Sequence, residues 1–281
     1  MTSTFESLRQ FLYEHSGLAL EGDKLYLVES RLLPIAREAG LPDLAALLKR
    51  LQAGDRDLGQ SVVDAMTTNE TFFFRDRAPF EKFRTVMLPN LLAARAAERR
   101  LRIWCAACST GQEPYSLAML LDDEARRLTG WHVEILATDL SRRAIESARQ
   151  GLYSQFEVQR GLPITMLLRY FQRAGERWQI NEFLRSRINF REFNLMSDFR
   201  SLGTFNAIFC RNVLLYFDVA TKRDILARLA RALAPDGFLV MGSAETVIGL
   251  SQAFIPHQEH PTLFVHKATQ RQRPELMLVA N

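Results

Sequence analysis

LRIWCAACSTGQEPYSLAM, Leu101–Met119, is the stretch on which the fold turns. It opens as a short apolar run and passes through small residues and Gly111. It then continues into a pattern that reads as a helix from Glu113 to Leu128. A strand running straight into a helix is half of a βαβ unit. The alternation then repeats. WHVEILATD (Trp131–Asp139) reads as a strand, and SRRAIESARQG (Ser141–Gly151) as a helix opened by a serine cap and closed by glycine. After a less regular, arginine-rich piece come RINFREFNL (Arg187–Leu195) and FNAIFCRN (Phe205–Asn212) as strands. A helix from Thr221 to Leu233 stops at the Pro235-Asp236-Gly237 turn. FLVMGS (Phe238–Ser243) is another strand, and AFIPHQEHPTLFVHKA (Ala253–Ala268) a closing pair. Strands alternating with helices predict a mostly parallel, doubly wound α/β sheet, with ligands beyond the carboxyl ends of its strands.

Upstream the pattern is different. The first seventy residues read as short amphipathic helices. Ser3 and Glu6 have capping-box spacing, and Phe5, Leu8, Phe11 and Leu12 share a face. Leu25, Val28, Leu32, Ile35 and Ala36 repeat at helical spacing through Ala39, with Pro34 starting or kinking part of the run. Gly40-Leu41-Pro42 ends it, Asp43 caps a helix through Leu51, and a last helix spans about Leu58–Met66. No internal repeat or low-complexity linker interrupts the chain.

The chain has 281 residues, 47% hydrophobic and 24% charged, which is room for one large domain or two modest ones. No run of 18 apolar residues is present, and MTSTFESLRQ lacks a basic head followed by an apolar core. Three cysteines make no disulfide framework. The expectation is a cytoplasmic protein without membrane insertion. The net charge of +4 is uneven: residues 141–191 hold ten arginines against four glutamates. That segment is either a solvated face or a docking surface for an acidic partner, and charge alone does not choose between acidic protein and phosphate backbones.

The strand ends carry the candidate chemistry. Gly111 and the small residues before it allow close backbone approach to a ligand, and Glu113 sits in the first helical turn. Asp139 closes the second strand, where an acid can accept both hydroxyls of a ribose. Neither G-x-G-x-x-G nor G-x-x-x-x-G-K-[ST] is present, so a phosphate cradle is missing. S-adenosylmethionine, with ribose and adenine but no phosphate, fits best, and with it a methyltransferase. Cys105 and Cys108 form a C-x-x-C, but the further ligands a zinc site needs (Cys210, His257, His260) are distant in sequence. Arg211, Asn212 and Tyr216 follow the fourth strand, and Arg-Asn is polar where a buried strand need not be. Tyr216 can equally be a core aromatic with its hydroxyl at the rim.

TTNETFFFRD (Thr67–Asp76) joins the two halves, with three phenylalanines between polar residues. Taken with AACSTGQEPYSLAM, ATDLS, FNL and AIFCRNVLLYFD, in this order after an all-helical region, it strongly resembles the chemotaxis receptor methyltransferases (CheR) over nearly the whole chain. Gln112 stands where many members carry Glu, leaving Glu113 as the acid. The resemblance implies a small helical domain (1–75) and a class I methyltransferase domain (76–281) with a small antiparallel insert at about 152–190. It implies S-adenosylmethionine as donor, S-adenosylhomocysteine as product, and glutamates of the cytoplasmic part of methyl-accepting chemoreceptors as acceptors. It implies a monomer that does not act on nucleic acid. Asn69, Thr71, Arg75, Glu113, Asp139, Asn194, Leu195, Arg211 and Asn212 match its cofactor-contacting positions, and the phenylalanines join the helical domain to the catalytic one. Arg75 and Tyr216 are the candidates for orienting cofactor or substrate. The rival readings are a nucleic-acid methyltransferase, disfavoured because Cys210-Arg211-Asn212-Val213 stands where an Asn/Asp-Pro-Pro-aromatic strand end is expected, and a non-catalytic docking or sensing relative.

Overall fold

Strand–helix alternation builds a seven-stranded sheet in the computed structural model, which describes residues 2–20, 24–257 and 260–267. Its strands are β1 (Arg100–Ala106), β2 (His132–Asp139), β6 (Ile188–Glu192), β7 (Phe205–Cys210), β8 (Leu233–Met241), β9 (Phe254–His257) and β10 (His260–His266). The spatial order is β6-β2-β1-β7-β8-β10-β9. β6, β2, β1, β7 and β8 pair in parallel, and β10 lies antiparallel to both neighbours. The order reverses between β1 and β7, the crevice where an open α/β sheet receives a ligand. The two faces of the sheet carry separate apolar clusters, one around Tyr115 and Phe209 and one around Trp104 and Leu229.

Helices α7 (Gln112–Asp123), α8 (Arg142–Gln150) and α12 (Val219–Ala232) connect the strands. Ser141 caps α8 through Ala144 N–H and Gly151 closes it in the left-handed region, as the sequence predicts. Two expected bounds shift. α7 ends at Asp123 instead of Leu128, because residues 124–130 leave the helix in successive turns. β8 starts at Leu233, so Pro235-Asp236-Gly237 lies inside an irregular strand and not between helix and strand. Similarly, β6 covers only Ile188–Glu192 of the expected run, leaving Phe193-Asn194-Leu195 free to form a loop. The helix formed by α5 (Ala78–Lys82), a π-helical turn (Phe83–Met87) and α6 (Leu88–Ala94) has no counterpart in the sequence reading.

The N-terminal helices are α1 (Thr2–Ser16), α2 (Leu25–Glu38), α3 (Leu44–Gln52) and α4 (Arg56–Met66). α1 already includes Ser3, whose expected capping side chain lies outside the described residues. α2 runs through Pro34 to Glu38, giving up one backbone hydrogen bond. Asp43 and Asp55 cap α3 and α4 by accepting from Ala46 and Leu58 N–H. Phe5, Leu8, Leu12, Val28, Leu32, Leu47, Val62 and Met66 bury the shared apolar face. This bundle leans on the strand ends. Tyr13 Oη donates to Asp218 Oδ2 (2.8 Å), Asn194 Nδ2 to the His15 carbonyl (2.7 Å), and Ala19 N–H to the Tyr216 carbonyl (3.0 Å). Among the described residues no helix is long and apolar enough to cross a membrane. Of the expected closing pair, Gln258, Glu259 and Ala268 lie outside the described residues, as does the chain beyond them.

Between α8 and β6 the chain builds the antiparallel insert, a three-stranded sheet in the order β3-β5-β4. Its strands are β3 (Leu152–Ser154), β4 (Phe171–Ala174) and β5 (Arg177–Ile180), with α9 (Gln155–Gln159), α10 (Ile164–Tyr170) and α11 (Glu182–Arg185) around them. Here the role expected of the three phenylalanines is corrected. Phe73 and Phe74 belong to the core of the sheet domain and not to the helical cluster. Phe73 meets Tyr153 (5.0 Å between centroids) and Phe171 (5.6 Å) edge-on, while Phe74 meets Phe80 of α5 (5.3 Å). Phe72 lies under the guanidinium of Arg160 (4.4 Å). The rings therefore join the catalytic sheet to its insert. Gly161 makes this contact possible: at φ +87° its hydrogen faces the Phe73 carbonyl, where a Cβ would stand 2.1 Å away.

Phe73 is fully buried, so Phe73→Ala should cost about 3–5 kcal/mol in urea denaturation. A loss below about 1 kcal/mol would show that the insert does not depend on this ring.

Candidate active site

Beyond the carboxyl ends of β1, β2, β6 and β7 lies a cleft of about 1050 Å³, its open mouth included. All ten residues singled out in the sequence line it. Asn69, Thr71 and Arg75 come from the segment after α4, and Glu113 from the first turn of α7. Asp139 closes β2, Asn194 and Leu195 follow β6, and Arg211, Asn212 and Tyr216 follow β7. Ser16, Leu18, Val63 and Met66 of the helical bundle complete the wall.

Each loop of the wall is gripped by a charged side chain. Arg211, whose side chain is 2% exposed, donates from Nη1 to Glu113 Oε2 (2.8 Å). From Nη2 it donates to the Arg75 carbonyl (2.8 Å) and to Asp76 Oδ2 (2.7 Å), which leaves its buried Nε–H without a partner among the described residues. Asp139 Oδ2 accepts from Ser109 N–H (2.7 Å) and Oδ1 from Ser141 N–H (2.9 Å). Arg228 of α12, stacked on Phe199 (4.5 Å), donates to the Leu195 carbonyl (2.6 Å) and to that of Ser197. Arg31 donates to the carbonyl of Met66 (3.0 Å) at the end of α4. Backbone strain gathers in the same place. Of the seven non-glycine residues with positive φ among those described, six flank the cleft: Phe74, Asp76, Arg77, Ala107, Ser109 and Asn212. Phe74, at φ +53°, is held by its N–H on Ser116 Oγ (3.0 Å).

The electrostatics follow from burial. Burial lifts the Glu113 carboxyl above its ordinary value, while the charge and hydrogen bond of Arg211 pull it back. Burial also lifts Asp139, against the pull of the Ser141 and Ser109 N–H groups. Burial pushes the Cys105 and Cys108 thiols well above their usual range, so neither offers a thiolate. Glu70, at the exposed mouth, is held low by Arg160, 2.7 Å away.

Residues 69–262 match the CheR methyltransferase SAM-binding domain, and residues 3–67 the CheR methyltransferase all-alpha domain. The chain belongs to the CheR methyltransferase family. It is 44% identical over 250 residues to Chemotaxis protein methyltransferase 1 of Pseudomonas aeruginosa, covering 88% of this chain and 91% of that one. To Chemotaxis protein methyltransferase Cher2 of Pseudomonas putida it is 43% identical over 251 residues (88% and 91%). To the Chemotaxis protein methyltransferase of Salmonella typhimurium it is 35% identical over 259 residues (89% and 86%).

S-adenosylmethionine is the cofactor of a CheR methyltransferase, and the donor set suits it. The lining offers three carboxylates (Glu70, Glu113, Asp139) against two guanidinium groups (Arg75, Arg211), and no lysine. That balance favours a cationic sulfonium and ammonium over a polyphosphate. The Asp139 carboxylate, with about four acceptor positions, keeps acceptor capacity beyond the backbone N–H groups that hold it. Leu18, Val63, Met66, Leu140 and Phe193 supply an apolar wall for a flat base.

Two sequence expectations change in detail. Arg211 lines the cleft, yet both its terminal nitrogens are committed to protein atoms, so its first task is to assemble the wall. The amide of Asn194 is likewise engaged, with the His15 carbonyl and Met196 N–H (2.8 Å). Sequence reasoning missed Asp76, Arg228 and Glu245, whose contacts reach across 31 to 135 positions to partners no local pattern marks.

Arg211→Ala strands the buried Glu113 carboxylate and should lower stability by about 3–5 kcal/mol. Arg75 is half-buried, and its side chain meets only the Glu70 carbonyl (2.6 Å) and the face of Phe72 (5.7 Å) among the described residues, so Arg75→Ala should leave the melting temperature almost unchanged. Calorimetric melting of both ligand-free variants checks the contrast, and unfolding of the Arg75 variant would make that residue structural.

Proposed function

We propose that this protein methylates glutamate side chains on the cytoplasmic part of methyl-accepting chemoreceptors. Methyl esters and S-adenosylhomocysteine are the products, and the protein acts as a cytoplasmic monomer. What carries the reading is the convergence of all ten residues on one strand-end cleft in a chain of the CheR family. When bound, S-adenosylmethionine supplies a sulfonium methyl that a carboxylate oxygen takes up directly as the carbon–sulfur bond breaks. A glutamate, with an ordinary pKa of about 4.3, is already ionised at neutral pH, so no general base is required of the protein.

The chain's own groups hold, orient and dry the reactants. Asp139 would accept hydrogen bonds from the ribose hydroxyls, and Glu113 would face the ammonium end. Asn69, Thr71, Leu195 and Asn212 would complete the contacts, while Arg211 and Asn194, already bonded to protein atoms, would shape the wall around them. Arg75 and Tyr216, both in the cleft wall, are assigned to orienting cofactor or acceptor. A tight bidentate arginine would stabilise the ground-state carboxylate as much as the transition state and gain nothing. Arg75 spends one N–H on the Glu70 carbonyl, and a tyrosine hydroxyl is the better neighbour for the nucleophile.

A methyl-transfer assay with labelled donor on receptor-containing membranes should place base-labile label on receptor glutamates and none on nucleic acid. Label on nucleic acid, or none at all, overturns the reading. Asp139→Ala should weaken S-adenosylhomocysteine binding by about 1–3 kcal/mol in calorimetry. Unchanged affinity in a folded variant removes Asp139 from the ribose site.

The basic segment tests acceptor recognition separately. Arg142, Arg160, Arg169 and Arg187 pair with acids of this chain, whereas Arg173 and Arg177 stay exposed on the β4–β5 hairpin without an acidic partner among the described residues. Exposed charges act over about 8 Å at physiological salt. Reversing both to Glu should lower receptor kcat/KM and flatten its salt dependence, with cofactor affinity unchanged. Wild-type behaviour at every salt concentration would take the insert out of the docking surface.

A further inference from the structure

We propose that Glu245 is a positioning residue of the methyl-transfer site, its carboxylate holding the loop that carries Asn212 and Tyr216. The proposal rests on the function argued above, but its first readout is ligand binding and stands without it.

After β7 the chain makes no α-helix until α12 at Val219, only the short 3₁₀ turn Leu214–Tyr216. The N–H groups of residues 212–214 therefore lack partners from regular structure. Glu245 supplies them from the turn after β8. Its Oε2 accepts from Asn212 N–H (2.7 Å) and Gly242 N–H (2.9 Å). Its Oε1 accepts from Val213 N–H (2.9 Å) and Leu214 N–H (2.7 Å), with Leu215 N–H at 3.4 Å. A carboxylate has about four acceptor positions, and the backbone takes all of them. Glu245 is thus turned towards the protein and has nothing left for a ligand. Its effect on the cleft passes through the loop.

That loop needs holding. Asn212 lies in the left-handed region at φ +56°, which is tolerated only where its surroundings over-determine it. The 3₁₀ turn Leu214–Tyr216 follows at once and directs Tyr216 into the cleft wall. The turn bearing Glu245 is itself fixed by Glu245 N–H on the Gly242 carbonyl (3.0 Å) and by buried Val247. Gly242 is part of the device. A Cβ there would stand 2.7 Å from Glu245 Oε2 and 2.8 Å from Asn212 Nδ2. One carboxylate thus sets the ends of two adjacent strands against each other. Charge-assisted bonds to N–H groups are roughly twice as strong as neutral ones, and Gln at this position would turn an amide donor towards backbone donors.

The test uses the full chain, with S-adenosylhomocysteine binding by calorimetry and receptor methylation at saturating donor. Glu245→Gln should weaken binding by about tenfold to a hundredfold. It should lower kcat while the acceptor KM stays within about twofold, because the acceptor's remote contacts are untouched. Glu134→Gln is the control. It breaks a comparable bonded carboxylate, paired with Arg102 (2.8 Å) five residues before the cleft end of β2, and should lose stability with affinity kept. If Glu245→Gln does not fold, Gly242→Ala, which pushes Glu245 off Asn212, must show the same loss of affinity. A folded Glu245→Gln, or failing that Gly242→Ala, that binds within about twofold of wild type overturns the proposal. If wild type binds S-adenosylhomocysteine but methylates no receptor, the function fails while the binding comparison still decides Glu245.

Discussion

A single buried guanidinium holds three distant parts of the chain together. Arg211, at the end of β7, reaches Glu113 at the head of α7 and the Arg75–Asp76 bend of the NETFFFRD segment. A charge removed from water is tolerated only when paired and hydrogen-bonded. This one has two carboxylates and a carbonyl, so the bend cannot drift without leaving a charge stranded. The other walls obey the same constraint with other residues: Asp139 on the β1 and β2 loops, Arg228 on the β6 loop, Glu245 on the β7 and β8 loops. Loops that would otherwise be mobile thereby become a rigid surface, able to keep six strained backbone positions. Preorganisation of this kind suits the proposed methyl transfer to a carboxylate, in which the protein would contribute geometry and dryness more than acid–base chemistry.

The helical bundle and the insert reach the cleft by different physics. The bundle keeps its own apolar cluster and meets the sheet through hydrogen bonds at His15, Ala19 and Tyr13. The insert shares the core of the sheet through Phe73, Tyr153 and Phe171.

Much of this was legible in the sequence because the signals were local. Apolar runs bounded by small residues marked β1, β2 and β7, and Ser141 and Gly151 fixed both ends of α8. The motifs gathered the ten residues of the cleft before any geometry was known. What escaped was decided by tertiary partners. The Pro-Asp-Gly of residues 235–237 looks like a turn, yet pairing with β7 draws it into an irregular strand. Three phenylalanines in a row announce burial but not the neighbour, which is the insert for Phe72 and Phe73 and α5 for Phe74. Glu245, in an ordinary Gly-Ser-Ala-Glu sequence, has no pattern that reveals backbone N–H groups more than thirty positions away. Arginine counting overstated the free charge of residues 141–191, because acids elsewhere in the chain already neutralise several of them.

With these ionic grips in place, the cleft should receive the cofactor without rebuilding. A crystal structure of the full chain with S-adenosylhomocysteine decides this. Ribose hydroxyls are expected on Asp139, with Arg211 still bonded to Glu113 and Asp76, and Glu245 still bonded to Asn212 and Val213. A ligand bound elsewhere, or a cleft in which Arg211 has left Glu113 and the post-β7 loop has refolded, would contradict it.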